Sequence, residues 1–336
     1  MKNGQISIKE IARLSGVSVA TVSRVINDNG RFSNETRDKV LKIIQEHQYE
    51  TNSIAKSLRM NKSQTIGVLV PDISNEFFAA VVLEIESFFF EEGYSTIICN
   101  TAKDAKKEKE YLKTLDGKMV DGLVCISGQE EVPTDILKRK VPTVCIDRRP
   151  KMDTNVAFVE SDHYEGGRLA THKLIEKGCA EIVLLTKKNN LSSVNERLKG
   201  YKDALAGAGL PVKDERIVYT DPKKSSLEAA KEAIQGLVDA GVPFDGIFAT
   251  NDWLALGALL FIQETGYKVP EQVKIVGFDN NLISQYCDPP ITTINQDKAS
   301  LANKACRILL DMIDGVPGSI ERHQIVPVSL VERKTT

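Results

Sequence analysis

From residue 65 onward the chain alternates short β-rich runs with helix-length stretches, and it does so twice. Ile66–Val70, Ser95–Cys99, Val120–Ile126, Thr143–Ile146 and Ala157–Glu160 are strand-sized, and helical stretches over about Phe77–Glu92, Lys106–Leu115 and Thr134–Lys140 separate them. A β-α-β succession predicts an α/β fold, a doubly wound parallel sheet with helices on both faces. A second set starts at Glu181–Leu185 and continues through Ile217–Tyr219, Gly246–Ala249 and Lys274–Gly277. Two such lobes in tandem imply a cleft, and ligands of open parallel sheets bind beyond the carboxyl ends of the strands.

The first sixty residues follow a different pattern. They hold ten Lys/Arg and six Asp/Glu, a net +4, whereas the rest holds 34 and 40, a net −6 that gives the overall −2. A basic head on an acidic body points to a polyanionic partner for the head. Ser7 with Glu10 reads as a capping box opening a helix through Ile8, Ile11, Ala12 and Leu14. Gly16 breaks that helix, and Ser18 is the natural cap of a second, Val19–Asn27, whose Val22, Val25 and Ile26 face inward. Val19, Ala20, Ser23 and Arg24 are left on its outer, N-terminal part. A third helix from Asn34 or Glu35 to about Gln48, with Val40, Leu41 and Ile44 inward, would close a three-helix core. Two short helices joined by a tight glycine turn form a helix-turn-helix, which presents its second helix to the major groove. A plain helical hairpin with a solvated polar face is the alternative.

The spelling of the head goes further. IKEIARLSGVSVATVSRVIND resembles the head of the lactose/galactose-repressor family of bacterial transcription factors. The resemblance implies a homodimer on near-palindromic double-stranded operator DNA. It puts Val19 and Ala20 at base-reading positions, with Arg24 able to fork onto guanine O6 and N7. It puts Ser18, Thr21, Ser23, Asn27, Ser33 and Thr36 at positions that hydrogen-bond phosphates. NSIAKSLRMNKS, residues 52–63, is similar to the family's hinge helix. There Leu58 would be the wedge that unstacks the central base step, Ala55 the close-approach residue, and Arg59 and Lys56 phosphate partners. Thr51 stands where the family usually has proline. A linker residue packed on the core domain is the alternative for Leu58.

Candidate cleft residues lie just after strands: Asn75, Phe77 and Phe78 in PDISNEFF, Asp147 and Arg148 in CIDRR, Arg197 in NERLKGY, Asn251 in ATNDW, Asp279 in GFDN and Gln296 in TTINQ. Carboxylates and amides pair with hydroxyls, arginines fork onto oxygens, and phenyl faces stack on sugar rings, so the set suits a sugar. Singly, Asp147 or Asp279 could cap a helix, Phe77 and Phe78 could be core, and Arg148 surface. As a set they resemble the ribose-binding members of the periplasmic sugar-binding fold, and the ending VERKTT is similar to ribose operon repressors. D-ribose or a close pentose is therefore the expected effector. Glu76 stands where the family commonly has proline.

The resulting organisation is a helix-turn-helix head over 1–50 and a hinge helix and linker over 51–63. A first core lobe covers 64–161 plus about 293–321, and a second covers 162–292 plus about 322–333. The resemblance sends the helix Lys298–Met312 back to the first lobe and the strand Ile325–Leu330 to the second. The chain ends just after that strand with no heptad tail, so a dimer rather than a tethered tetramer is expected.

Enzyme signatures are missing: there is no GxxxxGK[ST], no GxGxxG after a strand, no GxSxG and no HExxH. The four histidines are not spaced as metal ligands with the cysteines, and His163 reads as a surface residue opening a helix. No cofactor is expected. The six cysteines are scattered, no run nears the roughly 18 apolar residues of a membrane span, and the N-terminus has no apolar h-region. These features predict a cytoplasmic protein with no membrane partner. Three readings stay open beside the inducible repressor: a corepressor-dependent regulator, served by a purine-type effector or a phosphocarrier protein; a sugar-binding transport component; and an enzyme on the same sheets.

Overall fold

The computed structural model describes residues 6–26, 28–47, 49, 62–126, 136–147, 156–187, 191–316 and 321–336. The chain divides into two compact units, Met1–Ser63 and Gln64–Thr336.

In the first unit, α1 (Ile8–Ser15), α2 (Val19–Ile26) and α3 (Asn34–Glu46) surround Ile11, Val22 and Val40, with Ala12 and Val25 completing the centre. Ser7 caps α1 by accepting from the Glu10 N–H at 3.3 Å, but the Glu10 carboxylate turns to Arg13 at 2.6 Å and leaves the box half closed. Gly16 ends α1 at φ 67°, a left-handed conformation that glycine adopts without a Cβ clash, and so sets the turn into α2. Leu41 is exposed rather than inward, because one helical step beyond Val40 swings it about 100° off the core face that Ile43 and Ile44 share.

The second unit carries two six-stranded sheets. The first contains β1 (Thr65–Val70), β2 (Ser95–Asn100), β3 (Gly122–Cys125), β4 (Thr143–Ile146), β5 (Ala157–Ser161) and β11 (His323–Val326), in the order β11-β5-β4-β3-β1-β2. The second contains β6 (Ile182–Lys187), β7 (Ile217–Thr220), β8 (Gly246–Ala249), β9 (Lys274–Asp279), β10 (Thr292–Gln296) and β12 (Val328–Val331), in the order β12-β10-β9-β8-β6-β7. The two orders match strand for strand, so the sequence repeat is a structural repeat. Near-continuous apolar strands such as β1, β3 and β4 are buried because helices cover both faces. In the first lobe α4 (Glu76–Glu91) and α11 (Lys298–Asp314) meet over Val81, Ile85, Leu301 and Ala305, and α5 (Ala105–Gly117) covers the other face. In the second lobe α6 (His163–Glu176), α7 (Ser192–Gly207), α8 (Ser226–Asp239) and α9 (Asp252–Glu264) do the same, and α10 (Leu282–Tyr286) is a short turn of helix after β9.

Three expectations are corrected. The strand expected over 325–330 is two strands: Pro327, which has no N–H for a ladder, separates β11 in the first sheet from β12 in the second. The segment 322–326 therefore joins the first lobe and residues 293–296 the second. β12 pairs antiparallel with β10, so the second sheet is mixed. Of the helix expected over 134–140, residues 137–140 are irregular, and Arg139 bonds Asp116 there at 3.2 Å. Among the described residues no helix is long and apolar enough to cross a membrane, and no group of three or more His, Cys, Asp and Glu side chains could hold a metal ion.

Candidate functional site

A cavity of about 260 Å³ lies between the lobes of the second unit, at the carboxyl ends of their strands. Asn75, Phe77, Phe78, Asp147, Arg197, Asn251, Asp279 and Gln296 all line it. Arg148 lies outside the described residues. Some of these residues also have plainer structural roles. Asn75 caps α4, its Oδ1 accepting the Phe77 N–H at 3.0 Å, and Asn251 caps α9, accepting the Leu254 N–H at 2.9 Å. Phe77 and Phe78 belong to the first lobe's hydrophobic core and meet edge to face at 5.4 Å, so the same rings are core and cavity wall.

The two aspartates are different. Among the described residues neither caps a helix, and both sit at positive φ, 69° for Asp147 and 106° for Asp279, which non-glycine residues rarely adopt. Such a backbone costs on the order of 1–3 kcal/mol and persists where its surroundings over-determine it, often at a binding site. Both are buried, at 4% and 7% exposure, and both face the cavity.

Close backbone packing brings a polar chain together beneath them. A Cβ on Gly200 would lie 2.1 Å from the Tyr164 carbonyl oxygen, and one on Gly167 would lie 2.3 Å from that of Arg197. Glycine at both positions lets α6 and α7 touch, and their contact sets His163 beside Arg197. The guanidinium can only donate, so His163 Nδ1 accepts from Arg197 Nη2 at 3.2 Å and Nε2 carries the proton. That Nε2 faces Asp147, 3.1 Å from its carbonyl and 3.2 Å from Oδ1. Arg197 also donates Nη1 to the Thr250 carbonyl at 2.6 Å and lies 3.6 Å over the Phe278 ring. Its Nη2 is 3.9 Å from Asp279 Oδ1, which accepts from Gln296 Nε2 at 2.7 Å.

Burial governs the electrostatics. It pushes the Asp279 carboxyl up to about 6 against the pull of Arg197, and it lowers the Arg197 guanidinium from its ordinary range. Behind them Asp252, fully buried and held by Thr293 and the Asn281 N–H, is pushed up to about 8, again by burial first. Among the described residues, Gln296 Oε1, on a side chain 1% exposed, and Arg197 Nε have no hydrogen-bond partner. A buried acceptor and a buried donor left open in a cavity wall suit a ligand that supplies both functions.

Several residues in or behind the wall were not read from sequence. His163 is buried, not on the surface, because the packing of α6 on α7 turns it inward; neither its neighbours in the chain nor its spacing carries that information. Lys103, Lys187, Ser193 and Thr250 also line the cavity, as does Trp253, whose place two residues after Asn251 already puts it beside the cleft. Lys187 ends β6 and Thr250 directly follows β8, so the strand-end rule applied to every strand would have found them.

In the head, Val19, Ala20 and Arg24 are exposed on α2 and Ser23 is half-buried. Ser18 accepts the Thr21 N–H at 3.1 Å and the two hydroxyl oxygens are 2.9 Å apart; Ser33 and Thr36 repeat the arrangement with the same distances at the start of α3. Each pair thus marks a helix N-terminus, where backbone N–H groups and the helix dipole favour a phosphate. Asn27, Ala55, Leu58 and Arg59 lie outside the described residues.

An exposed helix-turn-helix and a two-lobed core with a polar cleft together define a ligand-responsive DNA-binding regulator. Comparison with known proteins gives it a family. Residues 7–52 match the model for bacterial regulatory proteins of the lacI family, and residues 171–336 match a periplasmic binding protein-like domain. The chain is 35% identical over 333 residues to the transcriptional regulator RegA of Clostridium saccharobutylicum, covering 98% of this chain and 99% of that protein. It is 36% identical over 310 residues to the transcriptional repressor PurR of Aliivibrio fischeri, covering 91% of each. Among solved structures, the lac repressor dimer bound to operator and an anti-inducer superimposes with a TM-score of 0.85 at 26% identity, covering 99% of each chain. The chain belongs to the lacI family of bacterial regulatory proteins. It is a transcriptional regulator and not an enzyme.

Proposed function

We propose that the protein is a cytoplasmic repressor that binds a near-palindromic operator as a homodimer and lets go when a sugar, D-ribose or a close pentose, fills the cleft. Arg24, Val19 and Ala20 read bases; Ser18, Thr21, Ser23, Asn27, Ser33 and Thr36 hold phosphates; Ala55, Leu58 and Arg59 serve the hinge. Two heads are needed because one short module buries too little surface for tight specific binding. The observation that carries the ligand half is the convergence of eight residues, chosen for hydroxyl and ring chemistry, around one cavity with an acceptor and a donor left open. Asp147, Asp279, Asn75, Asn251 and Gln296 take the hydroxyls, Arg197 and Arg148 fork onto oxygens, and Phe77 and Phe78 face the ring. Ligand and operator then weaken each other by the same factor, as linkage requires.

Similarity to PurR favours a second reading, in which a purine-type corepressor tightens operator binding. One experiment separates the two. Trp253 is the single tryptophan and lines the cavity, so its fluorescence is followed while D-ribose, other sugars and a purine base are titrated, with calorimetry as a check. Operator affinity is then measured with and without the ligand that saturates. Ribose binding with loss of operator affinity supports the proposal; a purine that tightens operator binding replaces it. Silence to every compound by both methods overturns the sugar reading and leaves a protein corepressor such as a phosphocarrier.

A further inference from the structure

Two side chains of the first lobe grip a single turn of the second. Glu76, the first residue of α4, accepts the Leu282 backbone N–H on Oε1 at 2.7 Å. Lys298, the first residue of α11, donates Nζ to the carbonyl oxygens of Asp279 at 2.7 Å and Asn280 at 3.4 Å. α4 and α11 share the first lobe's core, whereas residues 279–282 run from the end of β9 into α10 in the second. The gripped turn is an unusual one. Asp279 and Asn280 are both in the left-handed region, at φ 106° and 50°, so a backbone that would otherwise relax is held from outside.

The grip adjoins the cavity. The turn carries Asp279, Gln296 donates to that carboxylate, and Lys298 Nζ lies 5.9 Å over the ring of Phe77 on the opposite wall. Lys298 is half-buried, which lowers its ammonium from the ordinary range, while Asp279, Asp252 and Glu76 pull the other way. A proline at position 76 would offer no side-chain acceptor for the Leu282 N–H. Glu76 is thus a feature of this chain with a partner across the cleft.

We propose that Glu76 and Lys298 are positioning residues of the cleft: they clasp the 279–282 turn to the first lobe, hold Asp279 where a ligand hydroxyl meets it, and bias the lobes toward closure before ligand arrives. The inference rests on the reading of the cleft as a ligand site. A charge-assisted hydrogen bond formed only in the closed arrangement favours that arrangement by about tenfold. Ligand affinity rises with the fraction of molecules already competent to bind.

The test uses the full chain as wild type, Glu76→Ala, Glu76→Gln and Lys298→Met. Without ligand, acrylamide quenching of Trp253 reports how open the cleft is. With D-ribose, calorimetry gives Kd, and thermal melting checks the fold. Glu76→Ala and Lys298→Met are expected to raise quenching and to weaken ribose binding about tenfold. Glu76→Gln keeps an acceptor oxygen and is expected to restore both values. Wild-type quenching and affinity in Glu76→Ala overturn the clasp, as does a Gln variant that behaves like Ala. If Glu76→Ala does not fold, Lys298→Met against wild type decides. If wild type does not bind ribose, that failure falls on the sugar reading, and the ligand-free quenching series alone decides the clasp.

Discussion

The head and the cleft keep their polar groups in opposite conditions. On α2 (Val19–Ile26), Val19, Ala20 and Arg24 stand in solvent, and the hydroxyls of Ser18 and Ser33 are engaged only within their own helix starts. In the cleft, Asp147, Asp279, Arg197 and Gln296 are buried: His163 links Arg197 to Asp147, Arg197 lies 3.9 Å from Asp279, and Gln296 donates to Asp279. An exposed contact to a polyanion gains from counterion release and tolerates a flexible partner. A buried one has its desolvation already met inside the fold, so losing one member exposes the others to the full penalty. Single substitutions should therefore be severe in the cleft and graded in the head.

The sharpest break of this comparison is Arg197→Ala. It removes the donor to Thr250 O and His163 Nδ1 and the cation over Phe278, and it leaves Asp279 with a buried carboxyl and one fewer cation. Truncating one partner of a buried charge network costs about 2–5 kcal/mol, or about 30-fold to several thousand-fold in affinity. Ribose affinity measured by calorimetry is expected to fall by at least about a hundredfold, while operator affinity without ligand stays at wild type. A mutant that is still fully inducible removes Arg197 from the site.

That prediction names a residue the sequence already offered, and the same is true of most of the wall. Strand ends were legible because buried parallel strands are short apolar runs, and the residue that follows such a run lands at the cleft. The head was legible because its capped, glycine-broken helix pair is spelled IKEIARLSGVSVATVSRVIND, a long run that resembles the family's head; the caps and the glycine alone also allowed a plain helical hairpin. What stayed hidden depends on tertiary contact. His163 turns inward only because Gly167 and Gly200 let two helices touch. Pro327 divides one apolar run between two sheets, a choice that local spacing cannot express. Asp147 and Asp279 were found as residue types, but their left-handed backbones were not, since nothing in the sequence marks an aspartate for positive φ.

The corresponding break in the head is Arg24→Ala. An arginine forked onto a guanine discriminates by about 1–3 kcal/mol, so specific operator affinity is expected to drop about ten- to a hundredfold. Binding to unrelated duplex should change far less, and sugar affinity not at all. Fluorescence anisotropy on operator and scrambled duplex, at several salt concentrations, checks this. An equal loss on both duplexes would make Arg24 a phosphate contact, which sets position and carries no sequence information. Its salt slope would then shrink by about one unit, whereas a base-reading residue leaves the slope almost unchanged.

The mildest effect sharpens the cleft side. Burial raises Asp279 to about 6 from an ordinary 3.8. A sugar hydroxyl donating to the carboxylate favours its charged form, so ligand binding lowers that value and releases a proton. Ribose affinity should be full above about pH 6 and fall as pH drops through it, by about tenfold per unit at the limit of one proton. Stability of the ligand-free core has the opposite sign. An acid whose value is raised by folding binds more protons folded than unfolded, so stability falls as pH rises, between about 4 and 6 for Asp279 and on to about 8 for Asp252. Calorimetry in buffers of different ionisation enthalpy and melting curves across pH 5 to 8 measure both. If affinity instead rises toward low pH, Asp279 meets the ligand as a protonated donor, and the open Oε1 of Gln296 becomes the principal acceptor in that part of the wall.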